Sequence, residues 1–467
     1  MTSTGRGSSI LSIENLSDLH HSVERPVFDV RKLGVGIVHI GLGAFHRSHQ
    51  AVFTDDAIAS AGGPWGIIGV SLRGSSTSQL INRQEGLYTV ETLGDERRYR
   101  VIGAVRGALS AITEPQTVLD TIASSSVHVV TITVTEKGYS LKDNELDLLD
   151  PKIVADISSL NYPSTTIGWI VRGLQARWLS GAGPLTILCC DNLLNNGQVL
   201  RSAVLSFAAL VDRNLTSWIV DNISFPGSMV DRITPASDDG LVSRVADNIG
   251  YQDDACVQCE PFSQWVIEDQ FSGPRPAWDR VGVEFVDNIS LFQQLKLHVL
   301  NTANSCLAYL GLIRGYQYAH EAMGDAQIAE FVDALILVEM AAAFPNLPID
   351  QYWPQVRGRL LNPHVRHRLT QIGEDGSAKL SQRIYEPLLE NLRLGKPYRK
   401  MAILMKTWIL VSGMGLVSDP HSKELIDIFN FSMNKKEILY SNSIIPLKFR
   451  SDILFQSIFT DNTLEFN

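Results

Sequence analysis

From residue 35 to about residue 190 the chain alternates short, uninterrupted apolar runs with longer segments of helical period. The runs are "GIVHIG", "WGIIGVSL", "VHVVTITVT" and "LTILCCDN". A strand that shows one face to water alternates polar and apolar residues. Strands without that alternation are covered on both faces, which is the situation in a parallel sheet flanked by helices. Between them, "SHQAVFTDDAIAS", "PQTVLDTIASS" and "GWIVRGLQARWLS" carry apolar residues three and four apart, the spacing of a helix packing one stripe on a core. Repeated strand–helix–strand units predict an α/β fold with a doubly wound parallel sheet.

After about residue 285 the pattern changes. "LFQQLKLHVLNTANSCLAYLGLI", "DAQIAEFVDALILVEMAAAF" and "YRKMAILMKTWILVSGMG" are long and helical, and strand-like runs stop. The 467 residues therefore divide into an α/β domain over 1–285 and a mainly α-helical domain over 286–467. Residues 422–467 lack Gly and Ala and suggest no function.

Several function classes are disfavoured. A net charge of −10 without blocks of like charge argues against a nucleic-acid partner. The apolar stretch at 401–417 is broken by Lys406 and is short for a bilayer, so it reads as a buried helix. The polar N-terminus lacks the apolar core of a secretory signal, and five cysteines are an odd number for a disulfide framework, so a cytoplasmic setting is expected. Cys256 and Cys259 have metal or redox spacing but lack a second ligand pair, so no metal site is expected. Oligomeric state stays open, a monomer included.

"IVHIGLGAFHRSHQAVF" at 37–53 has a strand, then Gly41 and Gly43, then a helix. That is the context in which glycines let the backbone approach a pyrophosphate. His46 stands where a third glycine is usual, so a plain tight turn remains open, as does a metal site using His39, His46 and His49. Arg47 is placed either to reach a phosphate or to be solvated. The second strand ends in "GVSLRGSST", where an acid commonly holds the ribose 2′-hydroxyl of NAD; Arg73, Ser75 and Ser76 stand there instead. An Arg with two hydroxyls can accommodate a 2′-phosphate, so NAD is expected with NADP left open.

Six strings together resemble the long-chain polyol dehydrogenase family, which contains mannitol 2-dehydrogenases and fructuronate reductases (D-mannonate oxidoreductases). They are "GLGAFHRSHQAVFTDD", "TVTEKGY", "CDNLLNNG", "FPGSMVDRITP", "CEPFSQWVIED" and "KLHVLNTANS". The resemblance implies an N-terminal Rossmann-type domain, a mainly helical C-terminal domain, and NAD(P)-linked oxidation of a secondary alcohol in the cleft between them. It makes the loop with Gly41, Gly43, Phe45 and His46 the family's own version of the dinucleotide turn. It also implies that Val230 and Asp231 line the substrate and nicotinamide cleft, and that Glu136 lies near the proton path to solvent. A bland alternative for Asp231 and Arg232 is an internal ion pair.

Oxidation of a secondary alcohol needs a base for the hydroxyl proton and donors for the developing alkoxide. Lys296, a lysine in an apolar helix where burial disfavours its charged form, is the candidate base. At the α-helical 100° per residue, Asn301 and Asn304 lie about 140° and 80° around from it, so the three share one face. Asn192, after the strand "LTILCCDN", sits where open α/β sheets bind ligands, and its amide with that of Asn301 would hold the alkoxide. A snorkelling Lys with capping Asn residues is the bland alternative.

The family pattern has His where this chain has Asn304, and Asn can hydrogen-bond but not titrate. That leaves a catalytically impaired member as an alternative. "TVTEKGY", with Lys137, and "RHRLTQIGEDGSAKLSQR" look more like fructuronate reductases. A sugar-acid carboxylate calls for a cation, and Arg366, Arg368, Lys379 and Arg383 are available, with Lys379 and Arg383 taken as substrate-binding. The expected substrate is a small sugar acid or polyol, D-mannonate/D-fructuronate ahead of D-mannitol/D-fructose.

Overall fold

The computed structural model describes residues 9–158, 162–431, 449 and 452–460. The chain forms two compact units, Met1–Ser290 and Leu291–Asn467.

The first unit is built on six parallel strands: β1 (Val35–Ile40), β2 (Gly66–Ser71), β3 (Val105–Ser110), β4 (Val129–Ile132), β5 (Leu185–Cys189) and β6 (Ile223–Ser224), in spatial order β6-β5-β4-β1-β2-β3. This is the doubly wound Rossmann order, with its reversal between β1 and β4, where such sheets bind ligands. Successive strand residues point to opposite faces. Ile37 and Val129 join a core with the helix Gln50–Ala61, while Val38, Val130 and Ile132 join a second core with the helices Pro115–Ala123, Thr166–Ser180 and Asn196–Val211. Both faces are thus buried, which is why the runs are apolar without alternation.

Two small sheets flank this one. Tyr88–Thr92 pairs antiparallel with Arg98–Ile102 and parallel with Val257–Cys259; Gln264–Glu268 pairs with Ser228–Asp231 and Glu284–Val286. Glu91, fully buried, anchors the first through Arg97 (2.7 Å) and Arg244 (2.9 Å). All five cysteines are buried free thiols, and burial pushes Cys256 up to about 12 and Cys259 up to about 11. Inert structural thiols behave this way.

The second unit is helical. Thr302–Ile313, Ala326–Ala334, Ile349–Leu360 and Arg399–Gly413 enclose a core that includes Cys306, Leu310, Val332, Ile336, Met405 and Trp408. Most of the apolar 401–417 stretch lies in this core, with 414–416 exposed, and no helix among the described residues is long and apolar enough to cross a membrane. Phe449 and Phe455 are fully buried in the same core. Most of 432–467 lies outside the described residues. Among the described residues, three π-turns interrupt the helices, at Lys296–Asn301, Leu335–Met340 and Ser381–Tyr385.

Candidate active site

Gly41 leaves β1 at φ +100°, and a Cβ there would lie 2.0 Å from the Thr133 carbonyl oxygen. Only glycine lets the chain turn this close to the end of β4. The Gly41 carbonyl is held by the Thr133 hydroxyl (2.9 Å) and by His39 Nε2 (3.0 Å). His39 Nδ1 faces the Thr131 hydroxyl at 2.8 Å. Because Nε2 meets a carbonyl, it carries the proton, and the ring is the neutral Nε2–H form. Burial lowers the His39 pKa to about 3, in keeping with that form. His46, also fully buried, stacks on His39 with centroids 3.4 Å apart, and burial followed by neighbouring His39 holds its pKa well below the usual range.

His46 therefore braces the loop from beneath. No group of three His, Cys, Asp or Glu able to hold a metal occurs among the described residues. Arg47 differs from both sequence readings. Its guanidinium donates to the carbonyls of Gly43 and Ala255 and lies 5.8 Å from the Tyr88 ring, so it clamps backbone. Phe45 stacks on His49 at 5.0 Å.

Above the loop is a cavity of about 320 Å³, walled by Gly41, Leu42 and Gly43, by the exit of β2 (Ser71 to Gly74, then Ser76 and Thr77), and by Thr133, Val134, Thr135 and Thr166. Gly43 is exposed, and a Cβ there would meet nothing nearer than 3.8 Å, so a ligand's phosphates can approach the backbone. Arg73 and Ser76 line the far end, and Ser75 is the N-cap of the helix Ser76–Arg83. The residues present fit a dinucleotide.

Sequence reasoning overlooked Asp191. Its carboxylate accepts the backbone N–H groups of Val134 (2.9 Å) and Thr135 (3.0 Å) and the Tyr139 hydroxyl (2.6 Å). Thr135 has φ +70°, a conformation that costs of order 1–3 kcal/mol without such support. An acid directly after a parallel strand was the available signal. Asn192 follows it and is exposed, whereas Asn196 is buried and clasps the carbonyls of Cys189, Asp191 and Ser228. Glu136 opens the 3₁₀ turn Glu136–Tyr139, and its side chain lies outside the described part of the structure. Val230 and Asp231 are buried on the strand Ser228–Asp231, and Arg232 donates to the carbonyls of Ser48 and Glu260.

In the second unit Lys296 is buried and begins the first π-turn, and Asn301 ends it. In an i→i+5 turn, residues five apart take the neighbouring relation that residues four apart have in an α-helix. The 140° separation expected from α-helical geometry is replaced by near alignment. A π-turn also frees carbonyls from the i→i−4 ladder, and side chains take them up. Arg383 Nη1 donates to the Asn301 carbonyl (2.9 Å) and to Ser305 Oγ (2.7 Å), and the Thr302 hydroxyl reaches the Leu297 carbonyl (3.2 Å). His298 in the same turn stacks on Phe344 at 4.1 Å, and burial lowers its pKa to about 4 against the opposing effect of a hydrogen bond that the ring donates to the Arg383 backbone. Asn304 is half-buried, and its Oδ1 has no hydrogen-bond partner among the described residues.

Of the four cations considered for a substrate carboxylate, Arg366 and Arg368 are exposed beside the Tyr318 ring. Lys379 and Arg383 are half-buried, and Lys379 Nζ donates to the Ile372 carbonyl at 3.0 Å.

Residues 35–280 match the Mannitol dehydrogenase Rossmann domain, and residues 288–429 match the Mannitol dehydrogenase C-terminal domain. The chain is 38% identical over 403 residues to D-mannonate oxidoreductase of Escherichia coli strain K12, covering 84% of this chain and 83% of that one. It is 36% identical to mannitol 2-dehydrogenase of Cereibacter sphaeroides, covering 83% of each. The structure of Pseudomonas fluorescens mannitol 2-dehydrogenase in ternary complex with NAD and D-mannitol superposes with a TM-score of 0.88 at 31% identity, covering 96% of this chain and 95% of that one. With both domains matched in order on a Rossmann sheet that carries a glycine-walled cavity, the chain belongs to the mannitol dehydrogenase family, the long-chain polyol dehydrogenases, and is a nicotinamide-dependent oxidoreductase of polyols or sugar acids.

Proposed function

We propose that the protein interconverts D-mannonate and D-fructuronate, with NAD(H) as redox partner. The observation that carries this reading is the pair of half-buried cations Lys379 and Arg383, with Arg383 bonded to the very turn that ends in Asn301. A carboxylate-bearing substrate is the ligand for which such cations are suited. The 38% identity to the Escherichia coli D-mannonate oxidoreductase supports it.

The dinucleotide, when bound, supplies the hydride acceptor or donor. Gly41, Gly43 and the exit of β2 hold it, Phe45, Glu136 and Val230 belong to its surroundings, and Asp191 keeps the Val134–Thr135 wall in its strained shape. Lys296 Nζ takes the substrate hydroxyl proton in oxidation and returns it in reduction. The side-chain amides of Asn192 and Asn301 donate to the oxygen on which negative charge develops. Asn304 and Asp231 bind other substrate hydroxyls, and Lys379 and Arg383 attract the carboxylate.

Steady-state rates on D-fructuronate and D-fructose test the substrate. A kcat/KM at least tenfold higher for fructuronate is expected; a preference for fructose reverses the assignment to mannitol 2-dehydrogenase. Lys296→Ala should lower kcat by roughly 10²–10⁴-fold, the usual contribution of a general base, with dinucleotide affinity little changed. Near-wild-type turnover in that variant would remove Lys296 as the base.

A further inference from the structure

We infer that the ribose end of the cavity is built to take the 2′-phosphate of NADP(H) as well as NAD(H), with Arg73 as the determinant; this rests on the reading of the chain as a nicotinamide-dependent dehydrogenase. A doubly wound sheet selects NAD by a carboxylate at the end of its second strand, which accepts the ribose hydroxyl and repels a phosphate. Here β2 ends at Ser71 and continues through Leu72, Arg73, Gly74 and Ser75 into the helix Ser76–Arg83, and no Asp or Glu occurs between Ser71 and Thr77. Arg73 is the one ionisable residue among the described residues that wall the cavity. Its side chain is exposed and makes no ion pair among the described residues, so its planar fork is available to a phosphate.

The surroundings agree with an anion at this place. A Cβ on Gly74 would meet nothing within 4 Å, so the loop leaves room beside Arg73. Ser75 caps the following helix without a side-chain bond to its backbone, its hydroxyl accepting from the Gln79 amide at 3.4 Å, and Ser76 and Thr77 line the same wall. The acid that follows the neighbouring strand, Glu114, accepts the Ser110 backbone N–H at 3.3 Å and is not part of that wall. None of the described residues that wall this cavity carries a negative charge, and one guanidinium would bond a second phosphate.

Equilibrium titration of the full chain with NADPH and NADH, followed by nucleotide fluorescence, tests this without any sugar substrate. NADPH should bind within tenfold of NADH or more tightly. Arg73→Ala should weaken NADPH at least tenfold more than it weakens NADH, the range of a charge-assisted hydrogen bond. Ser76→Asp should act in the same direction by adding the missing carboxylate. The proposal is overturned if NADPH binds more than tenfold more weakly than NADH, or if Arg73→Ala weakens both alike. If neither nucleotide binds, the dehydrogenase reading falls with it, whereas tight NADH binding with NADPH rejected sinks this proposal alone.

Discussion

A buried acceptor without a donor destabilises whatever state contains it, and Asn304 Oδ1 is such an atom in the free protein. A substrate hydroxyl would satisfy it, which makes the residue useful only when substrate is present. Replacing Asn304 with Leu, apolar and of the same branched shape though larger, removes the unsatisfied group and should leave the melting temperature unchanged or raised at this half-buried position. The same variant should raise KM for the sugar roughly tenfold, the worth of one lost hydrogen bond to a bound ligand. If KM stays at the wild-type value, Asn304 does not touch the substrate, and its place in the helix is purely structural. The sequence showed that an Asn stands where the family pattern has His. It could not show that the amide oxygen is left without a partner, because that depends on which neighbours the fold supplies.

Elements that look like single helices in the sequence are broken by π-turns, and two of the three breaks are held by a side chain from elsewhere in the same unit. Arg383 takes the Asn301 carbonyl, and Asn391 Nδ2 takes the Glu339 carbonyl at 2.7 Å. Apolar runs and periodicity were enough to read the main helices and four of the six parallel strands, β1, β2, β4 and β5, since burial alone writes both patterns; β3 and β6 were not read. It could not reveal an inserted residue, because a π-turn keeps the apolar character and changes only the angle. Between 296 and 301 the chain therefore lacks the α-helical geometry from which a shared face for Lys296, Asn301 and Asn304 is read in the sequence. The small flanking sheets escaped notice for a related reason: Tyr88–Thr92 and Arg98–Ile102 are short and stabilised by buried charge at Glu91. Arg383 offers a test that separates its two roles. Arg383→Ala should lower kcat on D-fructose as well as on D-fructuronate if support of the π-turn dominates, and should chiefly raise KM for fructuronate if carboxylate binding dominates. Loss of stability of about 1–3 kcal/mol, from the orphaned Asn301 carbonyl, is expected in either case. Unchanged stability would show that the turn does not depend on this arginine.

At the scale of the whole chain, each unit carries a buried neutral histidine, and acid should therefore weaken both. His39 in the first unit has a folded-state pKa of about 3, and His298 in the second of about 4, against 6.5 for an exposed ring; burial is the leading cause in both. The unfolded chain binds a proton below pH 6.5 while the folded chain does not until far lower, so stability is full above that pH and is lost as pH falls toward 4. At pH 5 each ring costs its unit about 2 kcal/mol relative to pH 8. His46, stacked on His39 and shifted the same way, adds to the loss in the first unit. Melting followed by circular dichroism from pH 8 to pH 5 should show the fall. His298→Phe, which keeps a ring against Phe344 but cannot titrate, should flatten the slope for the second unit only. An equal slope in that variant would mean that the acid sensitivity of the helical unit comes from other groups.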